Sequence, residues 1–432
     1  MTMQQTPDTL EESAQESNWA GNYHYRSTAI HHPESEAEVQ ALVRGASSVQ
    51  ALGSRHSFNA IADSAGIQIC LDKMPVAVRI DEAAMTVTVG GGSSYGALAV
   101  ELAAHGFGLT NLASLPHISV AGAIATATHG SGDNNANLAA DVVALRLVDG
   151  TGEIHSVSRA ETPDFPGYVV GLGALGIVTE VTLSIVPTYS VAQHVYLGLD
   201  WDALLADYDA VTSRAYSVSL FTDWSGDTVG LAWFKQKIGD GRTGDYPTEL
   251  LGGTAATEGM HPVPGVSAVH STQQLGVAGP WQDRLSHFRM EFMPSAGEEI
   301  QSEYLIDRSH AVPAIKALRA LSDVITPLLQ VSEIRSVAAD DLWLSTAQGR
   351  DSVAFHFTWF RDQAAVAAVV KVLEEALAPF AARPHWGKVF DAHASSLAPL
   401  YLRFDDFKAL AQQLDPEGKF RNEFLQRVVF GA

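Results

Sequence analysis

Four turns rich in glycine and serine, at Gly53-Ser54, Gly90 to Gly92, Gly122 to Gly132 and Gly173 to Gly176, punctuate the N-terminal part of the chain. They constrain the fold more than any other feature. Small residues let two backbones approach closely, and successive N–H groups in such turns form concavities suited to anions. Four of them in one domain are consistent with an extended dinucleotide held by backbone amides.

Charge points the same way. The 432-residue chain carries a formal net charge of -22 with no basic run, which repels nucleic acid and anionic lipid and favours neutral or cationic substrates. An anionic cofactor would then be held by amides and helix N-termini rather than by arginine clusters. Cys70 is the only cysteine, so an internal disulfide, a zinc knuckle and a CxxC pair are excluded, and any redox chemistry must come from a cofactor. No apolar run reaches the roughly 18 residues of a membrane span, and the polar, acidic N-terminus is unlike a signal peptide. A cytoplasmic protein with no membrane or nucleic-acid partner is expected.

The length exceeds one ordinary core and predicts two domains with a boundary near residue 190. ESEAEVQALVRGAS reads as a helix with a Ser35/Glu38 capping box and an apolar face of Val39, Leu42, Val43 and Ala46. SVQAL and AMTVTV read as strands, and SYGALAVELAAHG as a helix ending at Gly106. Two strands flank a hairpin signal at Asp149-Gly150. GLGALG (Gly171 to Gly176) matches GxGxxG, but the β-branched IVTEVTLSIV that follows is a strand rather than the required helix, so a Rossmann site is rejected. In the second half, the stretch from about Gly239 to Pro280 reads as long surface loops. AVPAIKALRALSDVI reads as one helix with Ile315, Leu318, Leu321 and Ile325 inward, and DFKALAQQLDPEGKF as another with Phe407, Ala411 and Leu414 inward.

Four places offer chemistry. His56 sits between Ser54 and Ser57 in a turn that follows a strand, either as a plain loop residue or as a functional imidazole. In VSEIRSV a period of two puts Glu333 and Arg335 on one face, away from Ser332, Ile334 and Ser336. In SVAFHFTWF it pairs His356 with Thr358, opposite Phe355, Phe357 and Trp359. Periodicity leaves the first pair equally a site or an exposed ion pair, and His356 equally a base or a satisfied core histidine. Lysine is scarce in this chain, so Lys388 in RPHWGKVF is a less casual presence than it would be elsewhere, with a plain surface lysine as its other reading.

Taken together and in order, GSRHSFN, SLPHISVAGAIATATHGSG, GALGIVTEVTLSIVP, SEIRSVAADDLWLS, HFTWF, RPHWGKVF and LDPEGKFRNEF resemble the alditol (xylitol) oxidases. These belong to the vanillyl-alcohol-oxidase superfamily of flavoproteins, alongside the sugar-lactone oxidases. The match runs from about Asn18 to the C-terminus. It implies an α+β fold. A polar tail (1–17) precedes a PCMH-type FAD-binding domain (18–190) and a substrate (cap) domain with a sheet backed by helices (191–390), and a C-terminal segment (391–432) returns to the FAD domain.

The resemblance further implies FAD joined covalently through His56 alone, with Cys70 a buried structural thiol. Ala51, Leu52, Gly53, Ser54, Arg55, Ser57, Ser114, Ser119, Gly122, Thr126, Ala127, Thr128, His129, Gly176, Ile177 and Val178 would surround the cofactor. Arg55 stands where relatives commonly have glycine, so a positive φ there would strain the turn. Ser114, Glu333, Arg335, Thr358 and Lys388 match polyol-binding residues, His356 matches the base, and Arg335 and Lys388 would offset charge on the reduced flavin. Ala113 would leave a gap for oxygen. The implied reaction oxidises the C1 alcohol of an open-chain polyol such as xylitol or sorbitol to the aldose, with O2 reduced to H2O2, in a monomer without metal. A sugar-lactone oxidase or dehydrogenase of the same superfamily is the alternative.

Overall fold

The computed structural model describes residues 16–75, 78–241, 245–291 and 298–431, so most of the tail expected over 1–17 lies outside the described residues. The first helix forms as expected over Glu36–Gly45. Ser35 caps it by accepting the Glu38 N–H, with Glu36 and Glu38 in the first turn and Arg44 in the last. Its Val39 and Val43 share a small core with Val49, Ile69, Val148, Ile177 and Phe420. That core joins two sheets. One is parallel and three-stranded, with Ile67–Ile69 between Ala29–His31 and Val49–Ala51. The other is antiparallel and five-stranded, ordered Arg79–Asp81, Thr86–Gly90, Ile177–Ser184, Val142–Val148, Ile154–Ser158. GLGALG runs straight into the strand Ile177–Ser184, so no helix follows its glycines.

A ten-stranded antiparallel sheet takes up much of the chain from Ser190 onward. Its central order is Ser190–Asp200, Thr228–Lys237, Ser217–Thr222, Leu329–Val337, Ser352–Phe360, Glu299–Asp307. The helices Ala311–Arg319 and Gln363–Leu377 bury Ile315, Leu318, Val366, Val369 and Leu373 in the core that also holds Phe355, Phe357 and Trp359. The alternation of a strand therefore sends His356 and Thr358 to the opposite face. On that face the register sets His356 directly between Glu303 and Glu333.

Three expectations change. The helix expected through Ile325 breaks into Ala311–Arg319 and Ser322–Ile325, because the first segment closes with a tight Leu321 N–H to Leu318 O bond of 3.0 Å and leaves Leu321 only half-buried. The region read as surface loops carries short strands, Glu249–Leu250, Gly253–Ala255 and Gly279–Pro280, that extend the large sheet. The hairpin turn spans Asp149 to Glu153 and is closed by Asp149 Oδ1, which accepts the Thr151 and Glu153 N–H groups at 2.8 and 3.0 Å. After the helix Phe404–Leu414, the chain meets the N-terminal sheets: Gln50 Nε2 donates to Phe420 O at 2.9 Å and Gly150 N–H to Leu414 O at 2.9 Å. No helix among the described residues is long and apolar enough to cross a membrane.

Gly176 has φ +140°, and a Cβ there would lie 2.3 Å from Val148 O. Gly176→Ala is expected to lower stability by about 3 kcal/mol, read as an earlier urea or thermal midpoint. Gly45→Ala, whose Cβ would meet nothing within 4 Å, should leave the midpoint unchanged or slightly raised.

Candidate active site

A cavity of about 600 Å³ runs from the small-residue turns to the polar face of the large sheet. At its first end the chain leaves Val49–Ala51, bonds Leu52 N–H to Ile69 O, and enters the turn Gly53 to Ser57. None of the five N–H groups of that turn donates to a protein acceptor among the described residues. A Cβ on Gly53 or Gly122 would come within 2.5 or 2.7 Å of Ser119 Oγ, which is buried without a hydrogen-bond partner. Free donors in a cradle with no room for a Cβ fit the phosphates of a dinucleotide.

Arg55 does take a positive φ, +62°. An N-terminal strap holds it there. Trp19 N–H donates to Arg55 O at 2.9 Å, Asn18 Nδ2 donates to Ser57 O at 2.8 Å, and the Arg55 guanidinium pairs with Glu16. The Trp19 ring lies 5.1 Å from His56. Burial, with His117 adding to it, pulls the His56 pKa down to about 4, so its imidazole is neutral.

At the other end stands the row Glu303, His356, Glu333. Glu303 is 1% exposed and takes Lys388 Nζ on Oε2 at 2.6 Å and Arg335 Nη2 on Oε1 at 2.9 Å, with His129 Nε2 at 3.3 Å. Burial alone would raise its pKa, but Lys388, His129 and Arg335 outweigh that and hold the carboxyl well below the usual range. Glu333 is likewise held down against burial by Arg335 and His287, and its Oε1 takes the His287 Nε2 proton at 2.8 Å. Arg335 Nη1 reaches Ser114 Oγ at 3.3 Å. Both nitrogens of His356 are engaged, Nδ1 with Lys388 Nζ at 2.6 Å and Nε2 with Thr358 Oγ1 at 3.0 Å. Burial, then the lysine charge, lowers its pKa to about 4. Burial also lowers the Lys388 pKa against the pull of Glu303.

Ala51 to Ser57, Ala113, Ser114, Ser119, Gly122, Thr126, Thr128, His129, Gly176, Val178, Glu333, Arg335, His356, Thr358 and Lys388 all line this one cavity. Two expected residues do not. The side chain of Ile177 alternates away from Gly176 and Val178 into the core with Val39 and Val43, and Ala127, at φ +53°, turns its methyl into the main core. Cys70 is half-buried rather than buried, because the strand ends at Ile69 and the residue stands just beyond it, at the cavity wall and near the exposed His32 and Asp72.

Sequence reasoning missed Glu303, His287, His385 and Lys235. The first carried a signal: Glu299, Gln301 and Glu303 recur with a period of two in EIQSEYLID, and all three line the cavity. His287 and His385 stand in irregular segments and Lys235 in an apolar strand, so nothing local marks them.

Two family models match the chain, an FAD binding domain over residues 27–158 and D-arabinono-1,4-lactone oxidase over residues 281–428. An alditol oxidase of Streptomyces sp. is 47% identical over 417 residues, covering 96% of this chain and 99% of that protein. An L-gulono-1,4-lactone dehydrogenase of Mycobacterium tuberculosis is 30% identical, covering 96% and 98%. Among solved structures, the cholesterol oxidase from B. sterolicum superposes with a TM-score of 0.75 over 99% of this chain and 100% of that one, at 15% identity, which is a likeness of fold alone.

The buried histidines set the pH dependence of stability. Burial holds His287 and His356 at a pKa of about 4 and His385 well below its ordinary value. The unfolded chain, with ordinary histidines near 6.5, therefore binds more protons between about pH 6.5 and 4. Unfolding free energy is expected to fall on acidification through that window, by up to about 1.4 kcal/mol per pH unit per histidine. Below about pH 4.5 the depressed carboxyls of Glu303 and Glu333 add in the same direction. Urea midpoints from pH 8 to 4 check this, and a midpoint that rises as pH falls through 6 contradicts it.

Proposed function

The chain belongs to the alditol oxidase family of FAD-dependent oxidoreductases in the vanillyl-alcohol-oxidase superfamily, and on that premise we propose that it oxidises the C1 hydroxyl of open-chain polyols such as xylitol and sorbitol to the aldose, with O2 reduced to H2O2. One observation carries this reading. A single cavity joins a cradle of unpaired backbone amides beside His56 to a buried face where two carboxylates, two cations and a neutral imidazole meet. The same reading proposes one covalent flavin link at His56, a cytoplasmic monomer, and the division 18–190, 191–390 and 391–432.

The amides of Gly53 to Ser57, with Ser119 and Gly122, would hold the pyrophosphate. Bound there, FAD supplies the two-electron acceptor that takes hydride from the alcohol carbon and delivers the electrons to O2. The protein handles the proton. Thr358 Oγ1 already places a hydroxyl 3.0 Å from His356 Nε2, so a substrate hydroxyl bound alongside can surrender its proton to that nitrogen. For Nε2 to be free, Nδ1 must carry the proton, so in the reacting form Lys388 stands as the amine, reached by loss of one proton from the ammonium that pairs with Glu303. As Nε2 gains a proton, Nδ1 passes its own to Lys388 Nζ, 2.6 Å away, and Glu303 Oε2 stabilises the new ammonium at 2.6 Å. Arg335 contributes a fixed charge throughout. Glu333, Ser114 and Thr358 accept or donate hydrogen bonds along the polyol, so that each missing hydroxyl leaves a buried polar group unpaired.

Peroxide release across a panel of alditols, simple diols and aldonolactones tests the reading, and four- to six-carbon alditols should be turned over fastest. The lactone-oxidase model over residues 281–428 favours the second reading, and faster turnover of a lactone than of any alditol would establish it instead. The flavin should remain with the acid-precipitated polypeptide, whereas from His56→Ala it should be extractable. Arg335→Ala should slow flavin reduction by about 10² or more through loss of charge stabilisation at a buried site, as measured by stopped-flow absorbance.

A further inference from the structure

Lys235 is buried in the strand Thr228–Lys237, 1% exposed, and does not reach the cavity. Its Nζ lies within hydrogen-bond distance of three acceptors: Leu285 O at 2.5 Å, Ser286 O at 2.9 Å and His287 Nδ1 at 3.4 Å. The ionised Glu333 carboxylate can only accept, so His287 carries its hydrogen on Nε2 and leaves Nδ1 to accept from the lysine. That hydrogen is directed at Glu333 Oε1, 2.8 Å away. Glu333 Oε2 is left without a protein donor among the described residues. The same pinned segment fastens the other side of the site, since His287 N–H donates to Ser114 O at 3.1 Å and Arg335 Nη1 to Ser114 Oγ at 3.3 Å.

We propose that Lys235 is a positioning residue for the polyol: through the His287 tautomer it commits Glu333 Oε1 to the protein and reserves Oε2 for a substrate hydroxyl, thereby setting affinity for hydroxylated chains rather than the rate of hydride transfer. This rests on the reading that Glu333 receives polyol hydroxyls. Without the lysine, His287 is free to protonate Nδ1 and present a lone pair to Glu333. The carboxylate then loses its fixed donor and its orientation.

Anaerobic reduction of the holoenzyme by xylitol, followed at the flavin band, separates half-saturation from the limiting rate. Lys235→Met should raise the half-saturating xylitol concentration about tenfold or more, as expected for one misplaced hydrogen bond to a charged group, with the limiting rate within about threefold. Half-saturation by 1,2-propanediol, which lacks the chain of hydroxyls, should change little. If Lys235→Met does not fold, the pair His287→Gln and His287→Leu decides, because glutamine can accept from the lysine and donate to Glu333, whereas leucine can do neither. Glutamine should retain most of the affinity that leucine loses. Equal effects of the two, or a folded, flavin-loaded Lys235→Met with wild-type half-saturation, overturn the proposal alone. A wild-type enzyme that oxidises lactones but no alditol overturns the underlying reading, and the proposal with it.

Discussion

The register of three antiparallel strands carries the site. Glu299–Asp307, Ser352–Phe360 and Leu329–Val337 pair so that Glu303, His356 and Glu333 stand side by side. A slip of one residue in the middle strand would send His356 and Thr358 into the helix-covered core and bring Phe355 and Phe357 to the cavity. The aromatic side chains prevent this. Phe357 and Trp359 stack 5.1 Å apart and Trp224 packs on both Phe355 and Phe357. The hydrophobic face of the strand thus holds its polar face in place.

Charges at this depth persist only as a balanced set. Glu303 and Glu333 are offset by Arg335 and Lys388, and each carboxylate is bonded to more than one of the surrounding donors. The histidines nearby are kept neutral by burial and so add hydrogen-bonding capacity without upsetting that balance. A proton that arrives at His356 meets a lysine and a carboxylate already in line. The arrangement is suited to moving a proton with little rearrangement of its surroundings.

The opposite end of the cavity follows another rule, in which the site is defined by what side chains leave out. Gly53 and Gly122 make room around Ser119 Oγ, and the turn amides stay unpaired. Arg55 departs from this economy with its positive φ, and the Glu16–Trp19 strap that bonds it offsets the strain. The chain before the first helix therefore contributes directly to the geometry of the His56 turn.

What could be read from the sequence was local. Strand alternation set His356 with Thr358 and Glu333 with Arg335, the Ser35 cap marked a helix, and the β-branched run after GLGALG excluded a nucleotide-binding helix. Each of these is decided within about ten residues by backbone propensity and side-chain period. Even the positive φ of Arg55 was foreseeable as a position where glycine is usual. Long-range pairing decided the rest. Glu303 has a polar period of its own, but its role comes from Arg335, Lys388 and His129, brought from three other segments. Lys235 and His287 meet Glu333 only because a sheet and an irregular segment fold together. Ala127 and Ile177 showed the limit in the other direction, since proximity in the chain to lining residues did not decide which way their side chains pointed. A buried charge needs partners wherever the chain can supply them, and which segment supplies them is settled by tertiary packing, to which a local pattern carries no key.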